Sequence, residues 1–237
     1  MKYDWLSFKS VFVKDIVTEL RAKQVLPTMI VLGMLIVWIF RIVCETAMMD
    51  QGGMGPAALW IALLFCGLLA QERSFAIEQQ QDCMYGLLLA PVDAGTIYLS
   101  KLFVNVVMLC VFELILVPVT LLSFRLDVRN RWLDLTAVLL LGNIGISAIG
   151  TLFSAMVHLT RTRGSLLSII VLVVLLPMMI PATFALLVVS GDIPEQLVGT
   201  GALAFVGSFS HAVGYMIVFD AVFVVACWLL FGFVIRE

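Results

Sequence analysis

Charge is scarce in this sequence. Only 13% of its 237 residues are charged, where an ordinary soluble domain carries about 25%. Histidine is nearly absent: His158 and His211 are the two, and they lie in different segments. No H-E-x-x-H occurs, no G-x-x-x-x-G-K-[ST] and no G-x-S-x-G. These absences leave no zinc-protease helix, no loop to cradle nucleotide phosphates and no nucleophile elbow. With no catalytic constellation in view, the chain is read as a non-enzyme. The five cysteines (44, 66, 83, 110 and 227) form no C-x-x-C. Most sit in apolar runs and read as small buried hydrophobes. A formal net charge of −2 argues against a nucleic-acid partner. There is no polar block large enough for a second soluble domain, no solenoid-period repeat and no low-complexity tract.

What abounds is apolar surface. Hydrophobic residues make up 62% of the chain, more than a soluble fold of this size can hide, so lipid must be the solvent for most of it. A helix needs about 20 predominantly apolar residues to cross roughly 30 Å of hydrocarbon. Six stretches qualify or come close: about Val25 to Val43, Gly55 to Ala70, Leu102 to Phe124, Leu135 to His158, Leu166 to Ser190 and Ala212 to Ile235. The second is short and runs into Gln71-Glu72-Arg73. The fold class is therefore all-α, with six transmembrane helices over 25–237. Residues 197–210 hold a glycine-punctuated apolar run too short to cross, expected to be interfacial or re-entrant.

Residues 1–24 carry mixed charge and no small-residue cleavage site, so they are expected to be retained rather than cleaved as a signal peptide. Within them Trp5, Phe8, Phe12, Ile16 and Leu20 recur at three- and four-residue spacing. That spacing predicts a helix with one apolar stripe, lying in the cytoplasmic interface or packed on another subunit. An even number of spans puts both termini on one side. With the N-terminus inside, ten Lys and Arg residues face the cytoplasm, against Arg41, Arg125, Arg129 and Arg131 outside. The positive-inside rule thus favours cytoplasmic termini, with the 125–131 cluster as the discordant feature.

Segment 71–101 is the longest polar stretch after the N-terminus and lies inside by this topology. It holds Glu72, Arg73, Glu78, Asp82, Asp93 and Lys101, and an apolar piece containing Leu87 and Leu88 that stops at Pro91. A short helix with one docking face, ended by proline, suits a coupling element; an ordinary solvated loop fits the composition equally well. Glu113 and Asp220 fall within spans, as do Asn105 and Asn143. A carboxylate in hydrocarbon is costly and should face the bundle. It marks a substrate path or proton site, or else it is helix–helix glue or lies near enough to the interface to be wetted. Pro177 and Pro181 lie inside span five, where each frees a backbone carbonyl and marks a candidate hinge.

The order of these features resembles a known family. Span two ends in Leu69-x-x-Glu72-Arg73-x-Phe75; Glu78 and Asp82 follow, then Leu87 to Leu89, Pro91, and Lys101 opening span three. Further on come Gly142, Gly145 and Gly150 in span four, Arg163-Gly164, then Leu166, Leu167, Ile169, Pro177, Ile180 and Pro181. This is similar to the heme exporter protein B (CcmB) family of cytochrome c maturation, and the likeness covers nearly the whole chain. The 125–131 loop and the 197–211 region match it less clearly.

The resemblance implies an ABC-2 type permease in the bacterial cytoplasmic (inner) membrane. Its ATP and Mg would be bound by a separate CcmA-like ATPase. Further partners would be a heme-handling CcmC-like subunit, a small CcmD-like subunit and a CcmE-like heme chaperone. Heme would be handled by the complex, with no cofactor bound directly by this chain. Glu72, Arg73, Glu78, Asp82, Leu87, Leu88 and Pro91 would receive the ATPase's force, and spans one, two and five would move. Either histidine has a nitrogen for heme iron, but neither has a supporting aromatic cluster. Two other readings fit the same residues. One is a permease for another lipid-like or hydrophobic substrate; the other is a membrane scaffold that transports nothing.

Overall fold

The computed structural model describes residues 9, 12–17, 25–47, 51–80, 94–128, 131–160, 164–191 and 208–234; within them the side chains of 51–52, 74–80, 158–160, 164–168 and 234 lie outside the description. Six long helices follow one another: α1 (Val25–Thr46), α2 (Gln51–Gln80), α3 (Ala94–Phe124), α4 (Trp132–Thr160), α5 (Gly164–Ser190) and α6 (Phe209–Val234). No strand occurs among the described residues. Each helix holds a window apolar and long enough to cross a membrane, so the six-span expectation is borne out. In hydrocarbon every backbone N–H and C=O must be satisfied within the segment, and a continuous helix does this.

Side-chain contacts show that successive helices run antiparallel. At one end, the start of α1 meets the Arg73 end of α2, and Glu72 meets Val157 of α4 and Val171 of α5. At the other, Arg41 near the end of α1 donates to the Ser123 carbonyl near the end of α3, and Arg131, just before α4, donates to the Val188 carbonyl near the end of α5. These are called the Glu72 end and the Arg131 end below.

The centre of the bundle is α4, which packs against α2, α3, α5 and α6. In its apolar window 72% of residues are buried, against 22% in α1 and in α6, so the outer helices present most of the lipid-facing surface. Glycines let α4 take this place. A side chain at Gly142 would collide with the Trp60 ring of α2, and one at Gly150 with the Gln71 amide. At Gly145 it would meet Met178 of α5 and lie 2.7 Å from Asp220 Oδ1 of α6. Three large side chains thus use the space that three missing ones leave. Small residues at such positions allow membrane helices to approach closely.

Two boundaries differ from the sequence reading. The second helix is not confined to Gly55–Ala70 but runs from Gln51 to Gln80. The third begins at Ala94, ahead of the expected Leu102. Segment 71–101 is therefore not one polar loop: 71–80 continues α2, and 94–101 forms the first turns of α3. Gln71, Glu72, Arg73, Ala76, Glu78, Gln79 and Gln80 are good helix formers. Their polarity ends the hydrophobic run without ending the helix.

Candidate functional site

Two functional side chains of the expected coupling element are described, Glu72 and Arg73 on α2. Glu72 lies at the junction of α2, α4 and α5, beside Leu68, Gly150, Phe153, Ser154, Val157 and Val171, with a cavity of about 10 Å³ between them. Arg73 is exposed and borders a cavity of about 40 Å³ between α1 and α2, walled by Val25, Met29, Cys66 and Leu69. A cavity of the first size admits about one water and the second a few; neither has room for an organic ligand. Neighbours in sequence and about 100° apart around the helix, the two residues border different cavities beside α2. Glu78 lies on the last turns of α2 with its side chain outside the description. Asp82, Leu87, Leu88 and Pro91 lie outside the described residues, as do 197–207 of the expected re-entrant segment. Residue 209 already opens α6.

Beside them Gln71 is buried at 1% exposure, with both amide atoms lacking hydrogen-bond partners among the described residues. Its amide rests on Gly150, so the α2 side chain fills the space left at α4 at the level of Glu72. Residues 12–17 are helical, with Phe12 and Ile16 half-buried and Asp15 buried. Asp15 Oδ2 lies 3.5 Å from Nζ of Lys101, itself buried on α3. The family resemblance singles out Lys101; nothing in the reading singled out its partner. The signal available was a carboxylate on the same helical face as Phe12 and Ile16.

The intramembrane polar residues fall into two groups on either side of α4. On the α3 side, Asn143 Nδ2 donates to Glu113 Oε2 at 2.9 Å and approaches Cys110 Sγ at 3.6 Å. Further along this face Asn105 Nδ2 donates to Thr151 Oγ1 at 2.8 Å, and the Tyr98 hydroxyl donates to the Ala148 carbonyl at 3.1 Å. Glu113 is therefore bonded across helices and is not a lone carboxylate. On the other side, Asp220 of α6 lies against Gly145 and near Met178. It is buried, and neither oxygen has a hydrogen-bond partner among the described residues.

Asp220 thus lies mid-helix and enclosed, with no hydrogen bond across helices among the described residues. Asn143 and Gly145 are two residues apart on α4, about 3 Å of rise, so the two carboxyl groups stand at nearly one depth with α4 between them.

Pro177 and Pro181 sit in the interior of α5. Pro177 is exposed and Pro181 buried. Lacking N–H groups, they leave the carbonyls of Val173 and Pro177 without the usual helical donor. Met178, against Asp220, lies between them. His211 is exposed in the first turn of α6; the side chain of His158 is outside the description. Among the described residues no three His, Cys, Asp or Glu side chains come together to hold a metal ion.

Six apolar helices, four of them packed on a glycine-lined central one, with buried polar groups at mid-depth, define a polytopic α-helical membrane protein. Residues 6–226 match the CcmB protein family, and the chain belongs to that family. Over 153 residues it is 29% identical to the Heme exporter protein B of Haemophilus influenzae, covering 65% of this chain and 67% of that protein. The resemblance drawn from the sequence is thus borne out.

Proposed function

We propose that this chain is the membrane permease subunit of an ABC-type heme exporter in cytochrome c maturation. The observation that carries the reading is the CcmB family match across 6–226 in a chain of six membrane-crossing helices. Because the sequence has no phosphate-cradling loop, ATP and Mg belong to a partner, a CcmA-like ATPase. CcmC-like, CcmD-like and CcmE-like proteins complete the assembly in the bacterial cytoplasmic membrane. Heme is its cargo, handled by the complex, and ATP hydrolysis drives heme delivery or release of the chaperone. In this reading both termini and the Glu72 end face the cytoplasm.

The geometry supports a route for the force. Continuing as helix to Gln80, α2 is a lever that receives the ATPase's motion at Glu78 and through Asp82, Leu87, Leu88 and Pro91 that follow it in the sequence. Glu72 passes its motion to α4 and α5, and Arg73 passes it toward α1. A bend at Pro177 and Pro181 moves Met178 relative to Gly145 and so changes what surrounds Asp220. Glu113 stays tied to α4 through Asn143.

The test is a pull-down of the tagged chain from detergent-solubilised membranes, with mass spectrometry and a parallel measurement of cytochrome c yield. The expected outcome is recovery of an ATPase together with cytochrome c maturation proteins. Charge reversal, Glu72→Lys or Asp82→Lys, should lower ATPase recovery and cytochrome c yield together. An ATPase recovered without maturation proteins points to an exporter of another hydrophobic substrate. No ATPase at all overturns the permease reading.

A further inference from the structure

The N-terminal helix is joined to the bundle by charge. Asp15 stands between two ammonium groups, with Lys14 Nζ 3.1 Å from Oδ1 and Lys101 Nζ 3.5 Å from Oδ2. Asp15 is 7% exposed and Lys101 5%. Charges withdrawn this far from water attract each other more strongly than at the surface, so separating Asp15 from Lys101 costs more than breaking an exposed pair. Phe12 and Ile16, half-buried, lie on the same side of this helix as Asp15. The two elements therefore resist sliding apart by the cost of separating opposite charges in a site largely withdrawn from water. Lys101 lies seven residues into α3, roughly 10 Å of rise from Ala94, where α3 emerges from segment 81–93.

We infer that the Asp15–Lys101 pair is a latch that makes the N-terminal helix and the first turns of α3 move as one body. The stroke delivered to segment 71–101 then reaches the N-terminal helix as well as the bundle. The stroke itself rests on the ATPase-coupled reading above; the join rests on the pair alone. The two residues act as positioning residues. They touch no cargo, and their effect is to fix one helix to another at the receiving end of the bundle.

The test is hydrogen exchange by mass spectrometry on the whole chain in lipid nanodiscs, with exchange at 12–17 read relative to α4. Lys101→Gln should speed exchange at 12–17 by about tenfold, the ratio that ~1.4 kcal/mol represents, while α4 keeps its protection. Pairing Asp15→Lys with Lys101→Asp should restore slow exchange. If Lys101→Gln loosens α4 as well, Asp15→Asn makes the same test from the other partner. Unchanged exchange at 12–17 in both single variants overturns the latch.

A second arm adds the copurified ATPase and compares nucleotide-free with vanadate-trapped complex. Segments 12–17 and 94–101 should respond together in the parent chain and separately in Lys101→Gln. A parent chain in which they respond independently also overturns the latch. Failure to recover any ATPase overturns the functional reading instead, and the first arm still decides the join.

Discussion

The two ends of the bundle are built differently. At the Arg131 end, guanidinium groups close on backbone carbonyls. Arg41 reaches Ser123 and also pairs with Glu45. Arg131 reaches Val188 at 3.0 Å and Asp134 at 2.8 Å, and lies 5.0 Å over the Phe209 ring. The last carbonyls of a helix lack intrahelical donors, so these arginines bind α1 to α3, and the start of α4 to α5 and α6, at groups that need partners. At the Glu72 end the joints contain cavities, an unbonded buried glutamine and an ion pair between side chains. The Arg131 end is clamped through carbonyls and the Glu72 end is joined through side chains around small cavities, a contrast that in the proposed permease reading suits pivoting about the Arg131 end. It also gives a structural role to one arginine of the 125–131 cluster that sat awkwardly with the positive-inside count: Arg131 is held by the fold.

The sharpest way to break this contrast is to jam the central helix. Gly142→Leu places a side chain where the Trp60 ring lies, and both positions are buried. The cost should be about 3 kcal/mol or more, the upper part of the overpacking range. It would be seen as a large fall in the detergent melting temperature and in the yield of folded chain. Trp60→Ala in the same background should recover part of the loss. If Gly142→Leu is tolerated alone, α4 is not the packed centre described here.

Such contacts explain what the sequence revealed and what it hid. Six spans were legible because apolar length is a one-dimensional property. The glycines of span four were noticed through their family spacing, but their partners Trp60 and Gln71 on α2 and Met178 on α5 come from two other segments, and no local pattern pairs them. The second span was legible, but the helix outruns it because hydrophobicity stops near Ala70 while helix propensity continues to Gln80. The roles of Glu113 and Asp220 stayed open because a linear sequence does not show whether a polar residue has a partner. Glu113 has Asn143 thirty residues away. The Arg131 clamp was unexpected because an arginine near a span end reads first as a topology signal.

The comparison is sharpened by treating one arginine at each end alike. Arg131→Ala removes a charged donor from the Val188 carbonyl, the Asp134 pair and the contact with Phe209, and should cost about 1–3 kcal/mol. Arg73→Ala removes an exposed side chain at a cavity rim and should change thermal stability by no more than about 0.5 kcal/mol. Its effect should appear in the amount of ATPase recovered with the chain. Equal losses of stability at the two positions would remove the distinction between a clamped and a working end.

The smallest expected effect runs the other way. Arg125 has a φ of 54°, the left-handed conformation that costs a side-chain-bearing residue about 1–2 kcal/mol. It stands just past the end of α3, where the Leu126 N–H bonds back to the Leu121 carbonyl at 3.1 Å, a helix-ending turn that favours glycine at Arg125's position. Arg125→Gly relieves that strain, but glycine loses more backbone freedom on folding. The net gain should be about 0.5 kcal/mol, read as a small rise in melting temperature. Because this turn lies at the clamped end, the rise should come with unchanged ATPase recovery and unchanged cytochrome c yield. A fall in either would mean that the Arg131 end moves during the cycle, and the contrast between the two ends would have to be abandoned.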